Sequence, residues 1–113
     1  MKITREDKGN VIVLRLEGKL LGGSDSDTMR GVVLGAIEDG KHNVVVDLEK
    51  VSLANSAGLG ILMSNLTTLR RNEGTLKLLN VPKRIGSALQ TTWLNRVFEL
   101  YSDEGDALSS FES

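Results

Sequence analysis

The chain has 113 residues, 40% of them hydrophobic and 26% charged, enough for one self-contained core and unlike either a disordered or a fibrous chain. Its 14 basic and 15 acidic side chains leave a net charge of -1, which excludes a general field for nucleic acid or anionic lipid. The absence of cysteine removes disulfides and thiolate chemistry, and the single histidine, His42, has no HxxxH or HxxE partner for a metal.

Met1 to Asp7 lacks the apolar core of a signal peptide, and no run approaches membrane-spanning length, so the expectation is a soluble cytoplasmic protein without membrane insertion. Ile3 to Glu6 alternates weakly. Asp7-Lys8-Gly9-Asn10 then supplies turn residues before the β-branched strand Val11 to Leu16. This reads as a hairpin at a sheet edge leading into a central strand, with Gly18 as its end. Ser24 to Asp27 offers side-chain oxygens that can cap a helix. Met29, Val32, Val33, Ala36 and Ile37 give that helix one buried face, and Gly40 stops it.

Val44 to Leu48 is apolar on both faces, as in the interior of a covered sheet. A connector, Glu49 to Ala54, leads to Asn55-Ser56-Ala57-Gly58-Leu59-Gly60. A second helical stripe then runs through Leu59, Leu62, Met63, Leu66 and Leu69 to Gly74. With the strand Thr75 to Leu79 this makes a strand-helix-strand unit whose two strands are parallel. Val81-Pro82 opens a third helix with proline in its first turn and Ile85, Ala88 and Leu89 on its buried side. Trp93-Leu94 reads as a helical turn with the tryptophan in the core, and Val97 to Tyr101 as a short final strand. Ser102-Asp103-Glu104 caps a last helix carrying Ala107, Leu108 and Phe111, and residues 109 to 113 are prone to fraying.

Chemistry concentrates at the joint between the 44–48 strand and the second long helix. A hydroxyl at Ser56 stands where a helix begins, so a phosphate added there would meet unpaired N–H groups and the positive end of the helix dipole. The plainer reading makes Ser56 or Asn55 a helix cap and nothing more. Gly58 and Gly60 cost about 1 kcal/mol each relative to alanine inside a helix, which suggests that something approaches the backbone closely. No GxxxxGK[ST] nucleotide loop is present.

Asp25 and Asp27 read as helix N-terminal charges and Asp39 as part of a helix exit. Asp47, at a strand end near the joint, keeps a functional reading. Arg70-Arg71 and Lys83-Arg84 read as solvated helix faces. His42 sits in an exposed turn at the far end of the strand from Ser56, roughly 15 Å away, which argues against serine-histidine catalysis. No enzyme is expected.

Val44 to Leu48 followed by Val51 to Leu62 resembles the signature of the STAS domain, the sulfate transporter and anti-sigma factor antagonist family. The resemblance extends over nearly the whole chain: Glu17-Gly18 after a Val-rich strand, an Asp/Ser-capped first helix, Gly74 before a strand, Val81-Pro82, and an acidic-capped last helix. It implies a single STAS domain over 1–113, an α/β fold with a mixed sheet of four to five strands packed against four to five helices. Chains of this length resemble bacterial anti-sigma factor antagonists. The resemblance then implies docking to an anti-sigma factor that is also a serine kinase, through Asn55, Ser56, Ala57, Gly58, Leu59 and Gly60, with a serine phosphatase reversing phosphorylation. No cofactor, metal or direct nucleic-acid contact is implied.

The family's usual loop is Asp-Ser-Ser/Thr-Gly-Leu-Gly, with the acceptor hydroxyl directly before the first glycine. Here Ala57 holds that place and Asn55 replaces the aspartate, so Ser56 is the phosphorylation candidate. The alternative keeps the fold without phosphorylation, as an interaction subunit of an ABC lipid-transport complex or a constitutive sigma-pathway partner.

Overall fold

Two runs of β-branched and aliphatic residues become the centre of the molecule, because each can bury both of its faces. In the computed structural model, which describes residues 1–112, the strands are Lys2–Lys8 (β1), Val11–Leu20 (β2), Asn43–Ala54 (β3), Thr75–Leu79 (β4) and Leu100–Tyr101 (β5). They form one sheet in the order β1-β2-β3-β4-β5, with β1 antiparallel to β2 and every other pair parallel. The helices are Ser24–Glu38 (α1), Ser56–Arg71 (α2), Lys83–Thr91 (α3) and Glu104–Ser109 (α4). Five strands and four helices in an α/β arrangement match the expected fold.

The period-two alternation of the inner strands divides the core. Ile12, Leu14, Val44, Val46, Leu76 and Leu78 face one way and pack with Met29 and Val33 of α1, Leu62, Leu66 and Leu69 of α2, and Ile85 and Leu89 of α3. Val11, Val13, Val45 and Leu79 face the other way, where Ala107 and Leu108 of α4, Phe111 just after it and Tyr101 of β5 pack against them. Each fully buried leucine adds about 1.5–3 kcal/mol of transfer free energy, so the larger layer carries most of the stability.

Several boundaries differ from expectation, and each difference has a cause. Gly18 lies inside β2 at φ 108°, beside the register shifts between Arg15/Glu17 and Gly18/Lys19. It bends the strand instead of ending it, since Lys19 and the fully buried Leu20 continue the pairing with Leu53 and Ala54. The supposed connector 49–54 is therefore the second half of β3, hidden from pattern reading because Glu49, Lys50, Ser52 and Leu53 are exposed. At α1 the cap is Gly23, with no side-chain bond, so Ser24 and Asp25 already lie in the helix. Pro82 is the N-cap of α3, one residue before its first turn.

At the end of α2, Glu73 takes the left-handed conformation at φ 63°, and the Gly74 N–H closes on the Leu69 carbonyl at 2.8 Å. Gly74 is needed next to it for a different reason: a Cβ there would collide with the His42 carbonyl. His42 is half-buried rather than exposed, and its buried Nδ1 has no hydrogen-bond partner among the described residues. After α3 a single 3-10 turn, Leu94–Arg96, follows, and Trp93 is 63% exposed instead of in the core. The final strand is confined to Leu100–Tyr101.

Residues 109 to 112 do not hang loose. The buried Lys77 ammonium donates to the Ser110 Oγ at 2.8 Å and to the Ser110 carbonyl at 3.2 Å, and it sits 4.3 Å from the Phe111 ring centroid. Ser113 lies outside the described residues.

Candidate functional site

Parallel strands with helical crossovers bring helix N-termini to the strands' carboxyl edge, where α/β sheets commonly place their binding sites. In this chain β2 feeds α1 and β3 feeds α2 at that edge, side by side. Leu20 pairs with Ala54, and the Asn55 N–H donates to the Leu20 carbonyl at 3.3 Å. The two joints thus form one surface.

The start of α2 is fixed by Asn55, whose Oδ1 accepts the Gly58 N–H at 2.8 Å while its backbone carbonyl accepts the Leu59 N–H at 2.9 Å. Asn55 is the cap and Ser56 is the first helical residue. The Ser56 side chain is exposed, and among the described residues its hydroxyl makes no hydrogen bond. Neither its own N–H nor that of Ala57 has a protein acceptor among the described residues, so two amides and the positive end of the α2 dipole lie open beside a free hydroxyl.

The glycines divide by role. A Cβ on Gly58 would run into the Leu20 carbonyl, so the close approach expected at this glycine comes from the chain's own β2. Gly60 is exposed with open space where a Cβ would point, and nothing within the fold requires it. Leu59 is buried and anchors the helix to the core. Ala57 is exposed, yet it faces Gly22 of the β2–α1 loop so closely that a Cβ on Gly22 would sit 2.8 Å from the Ala57 Cβ. Gly22 belongs to the site, and only the Gly22-Gly23 pair ahead of the first helix hinted at it in the sequence. Leu21, just after β2, and Leu53, near the end of β3, are 41% and 36% exposed and add apolar rim that residue patterns did not single out.

The other candidates lie elsewhere. Asp47 is in mid-strand rather than at the joint, buried and bonded to Arg15 Nη1 at 2.9 Å, with its Oδ1 accepting the Glu49 N–H at 3.0 Å. Arg15 also reaches Glu6 and Glu104, and these carboxylates, Glu6 foremost, hold its pKa above the ordinary arginine value. That network ties β1, β2, β3 and α4 together and uses up Asp47's chemistry. A polar depression of about 370 Å³ beside it is lined by Lys2, Arg15 and Lys50 against Glu17, Asp47 and Glu49, charges that offset one another.

Asp25 and Asp27 occupy the first turn of α1, as expected for helix N-terminal charges. Arg70, Arg71, Lys83 and Arg84 are exposed. His42 and Ser56 sit at opposite ends of β3, which keeps base from nucleophile. Among the described residues no three His, Asp or Glu side chains group to hold a metal, and no helix is long and apolar enough to cross a membrane.

Architecture and site together define a small α/β module with a hydroxyl-bearing helix start on its carboxyl edge, and a sequence model of the STAS domain matches residues 2–107. The chain belongs to the STAS domain family. Over 57 residues it is 39% identical to the anti-sigma-B factor antagonist of Staphylococcus aureus, a match covering 50% of this chain and 53% of that one. The Staphylococcus epidermidis protein of the same name matches equally over 57 residues, so the chain spans about half the length of the curated relatives it matches.

Among solved structures, an anti-sigma factor antagonist from Mycobacterium paratuberculosis superposes with a TM-score of 0.83 at 22% identity, covering 99% of this chain and 94% of that one. The Bacillus cell fate determinant SpoIIAA in its phosphorylated form gives 0.76 at 21% identity, covering 98% and 100%. These likenesses establish the fold.

Proposed function

We propose that the chain is a regulatory binding module of the anti-sigma factor antagonist type. In this reading it docks a kinase-type anti-sigma factor through residues 55 to 60 and the adjoining start of α2, and phosphorylation of Ser56 switches the contact off. The names of the staphylococcal relatives support the partner class. The observation that carries the switch is the division of labour at the helix start: Asn55 caps, which leaves the Ser56 hydroxyl exposed and unbonded.

A phosphoryl group there adds about 1.5 to 2 negative charges at neutral pH. The free domain tolerates it, because the open amides and the helix dipole face it. A docked partner meets a dianion in the middle of the contact and loses affinity. A serine phosphatase completes the cycle by restoring the hydroxyl, and the domain's own part is binding rather than turnover.

Incubation with the anti-sigma kinase and ATP, followed by phosphosite mapping, tests this reading. Phosphate on Ser56, lost in Ser56→Ala, is the expected result. A kinase that binds the domain and leaves Ser56 unmodified would return it to a constitutive partner module.

A further inference from the structure

The chain's one tryptophan packs into neither core layer. Trp93 follows α3 at φ 65° with its N–H bonded to the Gln90 carbonyl at 3.2 Å, the left-handed residue of a helix terminus where glycine is the usual choice. A bulky side chain in that conformation carries a cost in backbone strain. Burial does not offset the cost, since the residue is 63% exposed. The Arg96 guanidinium lies 4.6 Å from the ring centroid, so the aromatic surface is held in place by a cation while the rest of the ring stays open.

Charge along this segment is one-sided. Between Asn80 and Phe98 the chain carries Lys83, Arg84 and Arg96 and no carboxylate, while all 15 carboxylates lie elsewhere. Each of the three cations is exposed, and among the described residues none is in an ion pair. Exposed Lys83, Arg84, Ser87, Gln90 and Thr91 form a strip along α3, about 13 Å long at 1.5 Å per residue, that ends at Trp93. Because β4 and β5 are parallel, the chain must return along α3 to the amino edge of the sheet, so Trp93 and Arg96 lie at the end opposite Ser56.

We propose that this α3–Trp93–Arg96 strip is a second docking surface, which takes an acidic segment of a protein partner bearing an apolar side chain. Carboxylates of the segment pair with Arg96 and with Lys83 and Arg84, and the apolar side chain covers the open indole. Tryptophan and arginine are, with tyrosine, the residue types enriched at binding hot spots. Three cations on a chain of net charge -1 make a poor phosphate track, since nucleic-acid affinity is built from the number of phosphates that basic side chains neutralise. The Trp93–Arg96 end lies opposite the Ser56 loop and can be covered while that loop is docked, whereas Lys83 and Arg84, at the start of α3, lie toward the carboxyl edge.

The sole tryptophan is its own reporter. Its emission is followed during titration with a 12-residue peptide of aspartate and glutamate around two central leucines. A lysine-substituted peptide, a 12-nucleotide thymidine strand and phosphatidylglycerol vesicles serve as separate arms. The expected result is a blue shift with the acidic peptide alone, weakened about ten-fold by 0.5 M salt and by Arg96→Glu. Ser56→Asp leaves it unchanged. Trp93→Gly, which relieves the left-handed backbone and so keeps the fold, abolishes peptide binding by calorimetry. The proposal is overturned by no shift at millimolar peptide, by equal response to the lysine peptide, by a stronger response to oligonucleotide or vesicles, or by undiminished binding in Arg96→Glu or Trp93→Gly.

Discussion

Asn55 Oδ1 accepts the Gly58 N–H at 2.8 Å, and that bond sets what its neighbour is free to do. With the cap supplied from position 55, the serine at 56 holds nothing in place. Asn55→Ala therefore destabilises the domain by about 1 kcal/mol, and Ser56→Ala changes stability by less than about 0.5 kcal/mol. Urea unfolding of the two variants against the parent checks the order. Equal losses would mean that Ser56 shares the capping.

Gly58 and Gly60 behave oppositely on substitution by alanine. Gly58→Ala drives a methyl group into the Leu20 carbonyl and separates the two joints, costing several kcal/mol by forcing backbone to shift. Gly60→Ala meets open space and stabilises the free domain by roughly 0.5–1 kcal/mol. The same variant weakens docking if a partner backbone approaches there, which a binding titration beside the thermal melt would reveal.

Glu73, at φ 63°, occupies a position that glycine fills without strain. Glu73→Gly raises stability by roughly 0.5–1 kcal/mol, whereas Gly74→Ala, one residue on, is severely destabilising because of the His42 carbonyl. Thermal midpoints moving in opposite directions confirm the pair. A loss in both would contradict the assignment of Glu73 as the helix terminator.

Acid stability depends on β1. The hydrogen bond from Arg15 holds the Glu6 carboxyl below its ordinary 4.5, and those from Arg5 and then Lys41 hold Asp7 below its ordinary 3.8. A carboxyl depressed in the folded state contributes stability above its unfolded value and loses it as pH falls through the folded one. Their contribution is complete at neutrality and lost progressively below about pH 4.5. The raised Arg15 value acts in the other direction, in full below the ordinary arginine value and so constant over the ordinary range. Unfolding from pH 7 to pH 2 with Glu6→Gln and Asp7→Asn combined gives a shallower acid decline than the parent, and an unaltered decline would rule these two groups out.

Much of the scaffold was legible because burial writes its period into the residues. Met29, Val33 and Ala36 on α1 and Leu62, Leu66 and Leu69 on α2 mark the faces that the sheet covers. The illegible parts are those decided by partners distant in sequence. The outer half of β3 is polar and exposed, so only its pairing with Lys19 and Leu20 makes it a strand. Trp93 looked like core because tryptophan is large and apolar, yet a left-handed turn carries it outward. At the site, the motif located Ser56, but the choice between Asn55 and Ser56 as cap rested on one side-chain oxygen. The contact of Gly22 with Ala57 joins residues 35 positions apart and left no local pattern.

The sheet's two margins bear on how the protein behaves at high concentration. One margin, β1, alternates Lys2, Thr4, Glu6 and Lys8 along one side, with Arg5 bonded to Asp7 and Asp39 on the other. The opposite margin, β5, is only two residues long. A strand from another molecule finds charge along the first and almost no backbone ladder along the second, which are two known defences against edge-to-edge fibril growth. A domain of this build can be produced at high level without its sheet recruiting further copies.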